Sequence, residues 1–197
     1  SGDILFENND ILKFSKNEML LTRGNKISMI FQEPMSALNP TMKIGEQLFE
    51  MYSSHQNIPF QKITNRIKNL IQKVKLDGVD NLLEKYPHQI SGGQKQRVMI
   101  VMALACSPKL LIADEPTTAL DVTVQKEIVE ILKSLQKTEN LSILFISHDL
   151  KLVSKITDRL LIIKNGVIVE RGYNKSIFKA PKSDYTKALL SVMINNK

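Results

Sequence analysis

The chain has 197 residues, 43% of them hydrophobic, which fits one globular domain of ordinary size or a core with a small subdomain. No apolar run reaches about 18 residues, which excludes a helix that spans a bilayer; a single cysteine, Cys106, excludes an internal disulfide framework and fits a reducing compartment. Net charge is +7, but the lysines are scattered and aromatics make up only 6%, so the composition favours a solvated basic surface over a nucleic-acid platform.

The opening residues, SGDILFENND, are acidic and do not read as a signal peptide. Ile4–Phe6 is a short strand candidate. Lys26–Phe31 is a stronger one, apolar and bounded by Arg23-Gly24-Asn25. It ends at Gln32. The following EPMSALNP holds Pro34 and Pro40, which predict an exposed loop without helix. From Ile44 to Tyr86 the pattern turns helical. Phe60, Ile63, Ile67, Leu70, Ile71 and Val74 share one face, which predicts a core stripe, and Gly78 reads as its stop. His88 has no second ligand at metal spacing, so it reads as a structural residue.

Ser91-Gly92-Gly93-Gln94 has the spacing of a capping box, so it predicts a helix start. The same geometry has a second use. Helix N-terminal N–H groups, with no Cβ at Gly92 and Gly93, allow close approach of a phosphate. An apolar helical run follows from Val98 to Ala105, and Cys106 reads as a small apolar residue. Leu110–Ala113 is a buried-strand pattern ending in Asp114-Glu115. Two adjacent carboxylates there are costly unless a cation or a reaction needs them. The carboxyl end of a strand is also where open α/β sheets place ligands. Asp121 is positioned to cap a helix whose apolar stripe is Val124, Ile128, Ile131, Leu132 and Leu135. Leu141–Ile146 reads as another buried strand, delivering Ser147-His148-Asp149. Asn165-Gly166, between Leu160–Lys164 and Val167–Glu170, predicts a type I′ hairpin. Strands alternating with helices imply a mostly parallel α/β sheet.

Several of these stretches resemble one family. ISGGQ resembles the signature motif of ABC-type ATPases, LLIADEP their Walker B strand with its catalytic glutamate, and TALD their D-loop. All three stand in the family's order and spacing. FQEPMSALNP resembles the Q-loop in the version found in oligopeptide and dipeptide importers, and SDYTKALL the end of such subunits. The resemblance implies an α/β, P-loop NTPase-like fold, with a mostly parallel sheet and an inserted helical subdomain. It divides the chain into 1–42 with the Q-loop, 43–97 as the helical subdomain ending in the signature, 98–170 as the ATPase core, and 171–197 as a tail. It implies ATP and Mg²⁺ as ligands. Asp114 and Gln32 would serve the magnesium. Glu115 would polarise the attacking water, with Gln32 and His148 beside it; His148 follows about 33 residues after Glu115, as the switch histidine does. Ser91, Gly92, Gly93, Gln94 and Asp121 would meet a nucleotide held by a second ATP-binding subunit. The implied partners are that subunit and the permease subunits of an importer, with no nucleic acid. The implied location is peripheral, on the cytoplasmic face of the bacterial inner membrane.

One departure stands out. No G-x-x-x-x-G-K-[ST] occurs in these residues. The family places that phosphate loop, and an adenine-stacking aromatic, N-terminal to the residues matched here. The expectation is an N-terminally incomplete cassette. The cysteine group that ends many peptide-importer ATPases does not occur either. An alternative of a different class is a non-hydrolytic partner that completes another subunit's site through ISGGQ and the D-loop. A third, a soluble ABC ATPase acting on nucleic acid or ribosomes, would want long coiled-coil heptads or a second cassette, and the peptide-type Q-loop argues against it.

Overall fold

A computed structural model describes residues 2–32, 37–55, 59–76, 78–118 and 120–195. It divides into two units, residues 1–144 and 145–197.

The first unit opens with a hairpin of β1 (Leu5–Phe6) and β2 (Asn9–Asp10). Glu7 and Asn8 between them both take left-handed backbone, φ 50° and 64°, which suits a tight hairpin turn. Helix α1 (Lys16–Thr22) was not anticipated. Its signal was present: Ser15 and Glu18 form a capping box, with the Glu18 carboxylate accepting from Ser15 N–H at 2.8 Å. Next comes β3 (Ile27–Ile30), as the apolar run predicts. Of the proline-bounded segment, residues 33–36 lie outside the described residues. Ala37 is helical and Leu38 is buried, which corrects the expectation of a wholly exposed segment without helix.

Helices α2 (Ile44–Ser53), α3 (Phe60–Lys73) and α4 (Val79–Leu83) fill the predicted helical stretch. Ile63, Ile67, Leu70, Ile71 and Val74 are buried as expected. Phe60 is not: it is 67% exposed, because it is the first residue of α3, and its ring stacks on Phe49 with centroids 4.6 Å apart. Gly78 is also reassigned. α3 ends earlier, where Lys75 turns left-handed (φ 56°), and Gly78 caps the start of α4 in the same conformation.

Two arginines tie the helices together. Helix α5 (Gly92–Leu104) packs on α2, α3 and β3. Arg66 of α3 donates to the carbonyls of Ala105 and Leu104 and to Ser107 Oγ, which satisfies carbonyls that the end of α5 leaves without helical partners. Arg97 of α5 donates to the carbonyls of Val74 and Lys75, at 2.9 and 2.8 Å, and to the Glu127 carboxylate. Cys106 is buried just past α5, and burial pushes its thiol pKa up, so its chemistry is suppressed.

The buried Gln47 of α2 clamps the segment that follows Leu38. Its Oε1 accepts from Asn39 N–H at 2.9 Å, and its Nε2 donates to the carbonyls of Asn39 and Met42 at 3.0 and 2.9 Å. Replacing it with leucine orphans backbone groups on that segment, each costing about 1–3 kcal/mol when desolvated. Gln47→Leu should therefore lower the melting temperature by roughly 4–8 °C, read by calorimetry. An unchanged melting temperature would show that water replaces the clamp.

Strand β4 (Leu110–Asp114) pairs in parallel with β3, Ile27 opposite Leu110 and Ile30 opposite Ala113. β5 (Ser142–Ile146) is the third strand, in the order β3-β4-β5. Between them runs α6 (Val122–Thr138), whose Ile128, Val129, Ile131, Leu132 and Leu135 are buried. The parallel pairing and intervening helices are the expected α/β arrangement. β5 is less covered than predicted: Leu144 is 47% exposed.

In the second unit, α7 (Leu150–Ile156), β6 (Arg159–Lys164), β7 (Val167–Tyr173), α8 (Asn174–Lys179) and α9 (Asp184–Asn195) follow in turn. β6 and β7 form the predicted antiparallel hairpin, with Asn165 and Gly166 both left-handed (φ 51° and 76°). Val153, Leu160 and Ile177 make its core with Phe145 and Phe178. The buried Asn174 amide ties α8 to the end of α7 by donating to the carbonyls of Ser154 and Thr157. Here too an apolar strand residue is open, Ile146 at 44%. The buried-strand expectation for 141–146 is thus corrected at Leu144 and Ile146: an apolar residue shows what gains by burial, not what covers it.

Candidate functional site

The signature turn folds as its sequence dictates. Ser91 Oγ accepts from Gln94 N–H at 3.2 Å, and Gln94 Oε1 accepts from Ser91 N–H at 3.0 Å. The Gln94 amide is therefore used in the cap. The N–H groups of Gly92 and Gly93 lie outside the reciprocal pair. Ser91 and Gly92 are exposed, and the helix they open is 13 residues long. Its aligned dipoles place partial positive charge at this turn.

Asp121 opens the neighbouring helix. Its Oδ1 accepts from both Thr123 and Val124 N–H at 3.0 Å, the predicted cap. The two helix starts are in contact. A Cβ on Gly93 would sit 3.0 Å from Val124 Cγ1, whereas one on Gly92 would come no nearer than 3.9 Å to Leu120 Cδ2. The structure thus joins the signature and the D-loop into one surface. Gly93 is packed against α6, and Gly92 is open.

At the carboxyl end of β4, Asp114 and Glu115 are half-buried. Glu115 takes left-handed backbone, φ 46°, a strained conformation for a residue with a Cβ and one that clusters at functional sites. Its Oε2 accepts from Thr118 Oγ1 at 2.8 Å. Thr117 C=O accepts from Gln125 Nε2 of α6 at 3.1 Å, so the turn after β4 is tied to the D-loop helix. Sequence reading missed Thr117, Thr118 and Gln125. The hydroxyls within DEPTTALD were the available signal.

Gln32 is exposed two residues past Ile30. The β3–β4 register sets it at the same strand end as Asp114 and Glu115. His148 lies two residues past β5, exposed on the second unit, where Asp149 caps α7 by accepting from Lys151 and Leu152 N–H. His88 is exposed and stacks on Tyr86. Among the described residues no three His, Cys, Asp or Glu side chains group to hold a metal ion. A lone carboxylate at Asp114 still fits magnesium, which keeps most of its waters and takes phosphate oxygens rather than an all-protein cage.

The model of the ABC transporter family matches residues 1–118, well over half of the chain. The chain belongs to the ABC transporter family. Similar proteins include the "Oligopeptide transport ATP-binding protein OppD" of Bacillus subtilis (strain 168), 47% identical over 192 residues, covering 98% of this chain and 54% of that one. The "Dipeptide transport ATP-binding protein DppD" of the same organism is 44% identical over 189 residues, covering 96% of this chain and 56% of that one. This ABC chain therefore spans about half the length of these curated relatives. Among solved structures, cbiO1 from Clostridium perfringens, described as part of the ABC transporter complex cbiONQ, aligns with a TM-score of 0.78 at 29% identity over 91% of this chain and 69% of that one. The ATP-binding cassette MJ0796 bound to ADP and Pi aligns at 0.76 over 88% of this chain and 74% of that one; at 24% identity that likeness speaks to the fold alone. The ABC cassette is thus the fold of this chain, and among its described residues no helix is long and apolar enough to cross a membrane.

Proposed function

We propose that the ABC chain is the ATP-hydrolysing subunit of a peptide importer, peripheral to the cytoplasmic face of the bacterial inner membrane. The observation that carries this is the joined surface of Ser91–Gln94 and Leu120–Val124, linked through Gln125 and Thr117 to the turn that holds Glu115. A second ATP-binding subunit would present its triphosphate to that surface. Gly92 and Gly93 N–H groups and the α5 dipole would meet the γ-phosphate, with Ser91 and Gln94 shaping the turn and Asp121 holding the neighbouring helix start. On its own side, Asp114 would hold Mg²⁺, which supplies charge neutralisation at the phosphates when bound. Glu115 would take a proton from the attacking water. Gln32 would orient that water and reach the magnesium, and His148 would contact the γ-phosphate. In this reading residues 43–97 form the helical subdomain that leans on the permease, and 171–197 the tail. The names of the relatives support peptides as the transported class.

The test joins the phosphate-loop segment of the Bacillus subtilis oligopeptide relative ahead of residue 2 and assembles the product with that relative's transporter. ATP hydrolysis stimulated by peptide is the expected result. Turnover indifferent to every peptide offered would overturn the substrate class.

A further inference from the structure

We propose that Thr118 is a positioning residue for Glu115, an inference that rests on reading Glu115 as the general base. Thr118 holds Glu115 at two points. Its backbone N–H donates to Glu115 C=O at 3.1 Å, closing a four-residue turn, and its hydroxyl donates to Glu115 Oε2 at 2.8 Å. The turn is built to stay in place. Pro116 at its second position presets the backbone, Pro116 and Thr117 are buried, and Gln125 fastens Thr117 C=O to α6. Glutamate has three side-chain torsions, so a base at the end of a strand is poorly aimed unless something fixes it. The left-handed backbone at Glu115 aims the side chain off the strand, and the Thr118 hydroxyl then selects its rotamer. A water-activating carboxylate misplaced by about 1 Å loses up to about 10² in rate. The hydroxyl therefore acts on turnover rather than on nucleotide affinity, which the signature turn and the phosphate loop provide.

The experiment uses the chain completed with a phosphate loop, as above. Thr118→Val keeps the shape and removes the donor; Thr118→Ser keeps the donor. Thr118→Val should lower kcat about tenfold, with KM for magnesium-ATP within about twofold and the melting temperature little changed, and Thr118→Ser should recover most of kcat. In a Glu115→Gln background Thr118→Val should add no further loss, because residues that act as one unit are not additive. Unchanged kcat in Thr118→Val, or an equal loss in both backgrounds, would overturn the proposal. If valine unfolds the protein, Thr118→Ala against Thr118→Ser reads the same difference. The parent reading fails separately and visibly: Glu115→Gln by itself would then retain the rate.

Discussion

Replacing Glu115 with glutamine, in the chain completed by a phosphate loop, should cut ATP hydrolysis by about 10² or more while ATP-driven pairing of subunits persists. Glutamine keeps the size of the side chain and can still accept from Thr118, so the turn at Glu115-Pro116-Thr117-Thr118 should survive. What it loses is the ability to take a proton from water. General-base catalysis is worth roughly 10²–10⁴ in rate, and the Thr118 hydroxyl donates to an amide oxygen as it does to a carboxylate oxygen. Single-turnover hydrolysis measured beside dimerisation separates the two effects. Retention of more than about a tenth of the parent rate would remove Glu115 from the role of base.

An aspartate at position 92 should abolish ATP-driven pairing of subunits without unfolding the protein. Gly92 is exposed, and a Cβ there meets nothing closer than 3.9 Å, so the fold has room for the side chain. A carboxylate would then stand where the opposite subunit's γ-phosphate is proposed to dock. Two like charges about 4 Å apart repel by several kcal/mol at a partly buried interface, which is enough to lower pairing by about two orders of magnitude. Gly93 is the poorer probe. Its Cβ would press on Val124 Cγ1 at 3.0 Å, so a loss on substituting it mixes packing with phosphate approach. Light scattering with and without magnesium-ATP reads the pairing, and calorimetry reads the fold. Undiminished pairing in Gly92→Asp would refute the phosphate surface at this turn.

The parts of this architecture that could be read in advance are those governed by short-range geometry. The Ser91–Gln94 box, the Asp121 cap and the Asn165-Gly166 turn each depend on residues within three or four positions, and each forms as expected. β3 and β4 were legible because an apolar run between turn residues has few alternatives. Phe60 shows the limit: the helical period marked its face correctly, but its place in the first turn leaves it in solvent. Gly78 was recognised as a break in helix, yet periodicity does not say which helix it serves. The two-point hold of Thr118 on Glu115 spans only three positions, and its signal was the Glu-Pro-Thr-Thr turn itself. The contact between Gly93 and Val124 depends on where two helix starts meet in space, and no spacing rule encodes that.

The fork made by Arg97 has a mechanical meaning. One planar guanidinium grips the carbonyls of Val74 and Lys75, just past α3, and a carboxylate on α6, while its own helix begins at the signature turn. A force that tilts α3 would thus reach α5 and α6 at once, through a planar fork that the single charged point of a lysine does not reproduce. Under the proposed function, movement of the helical region against α6 would have to open that grip, and Arg97 would act as a latch between the permease side and the proposed nucleotide surface.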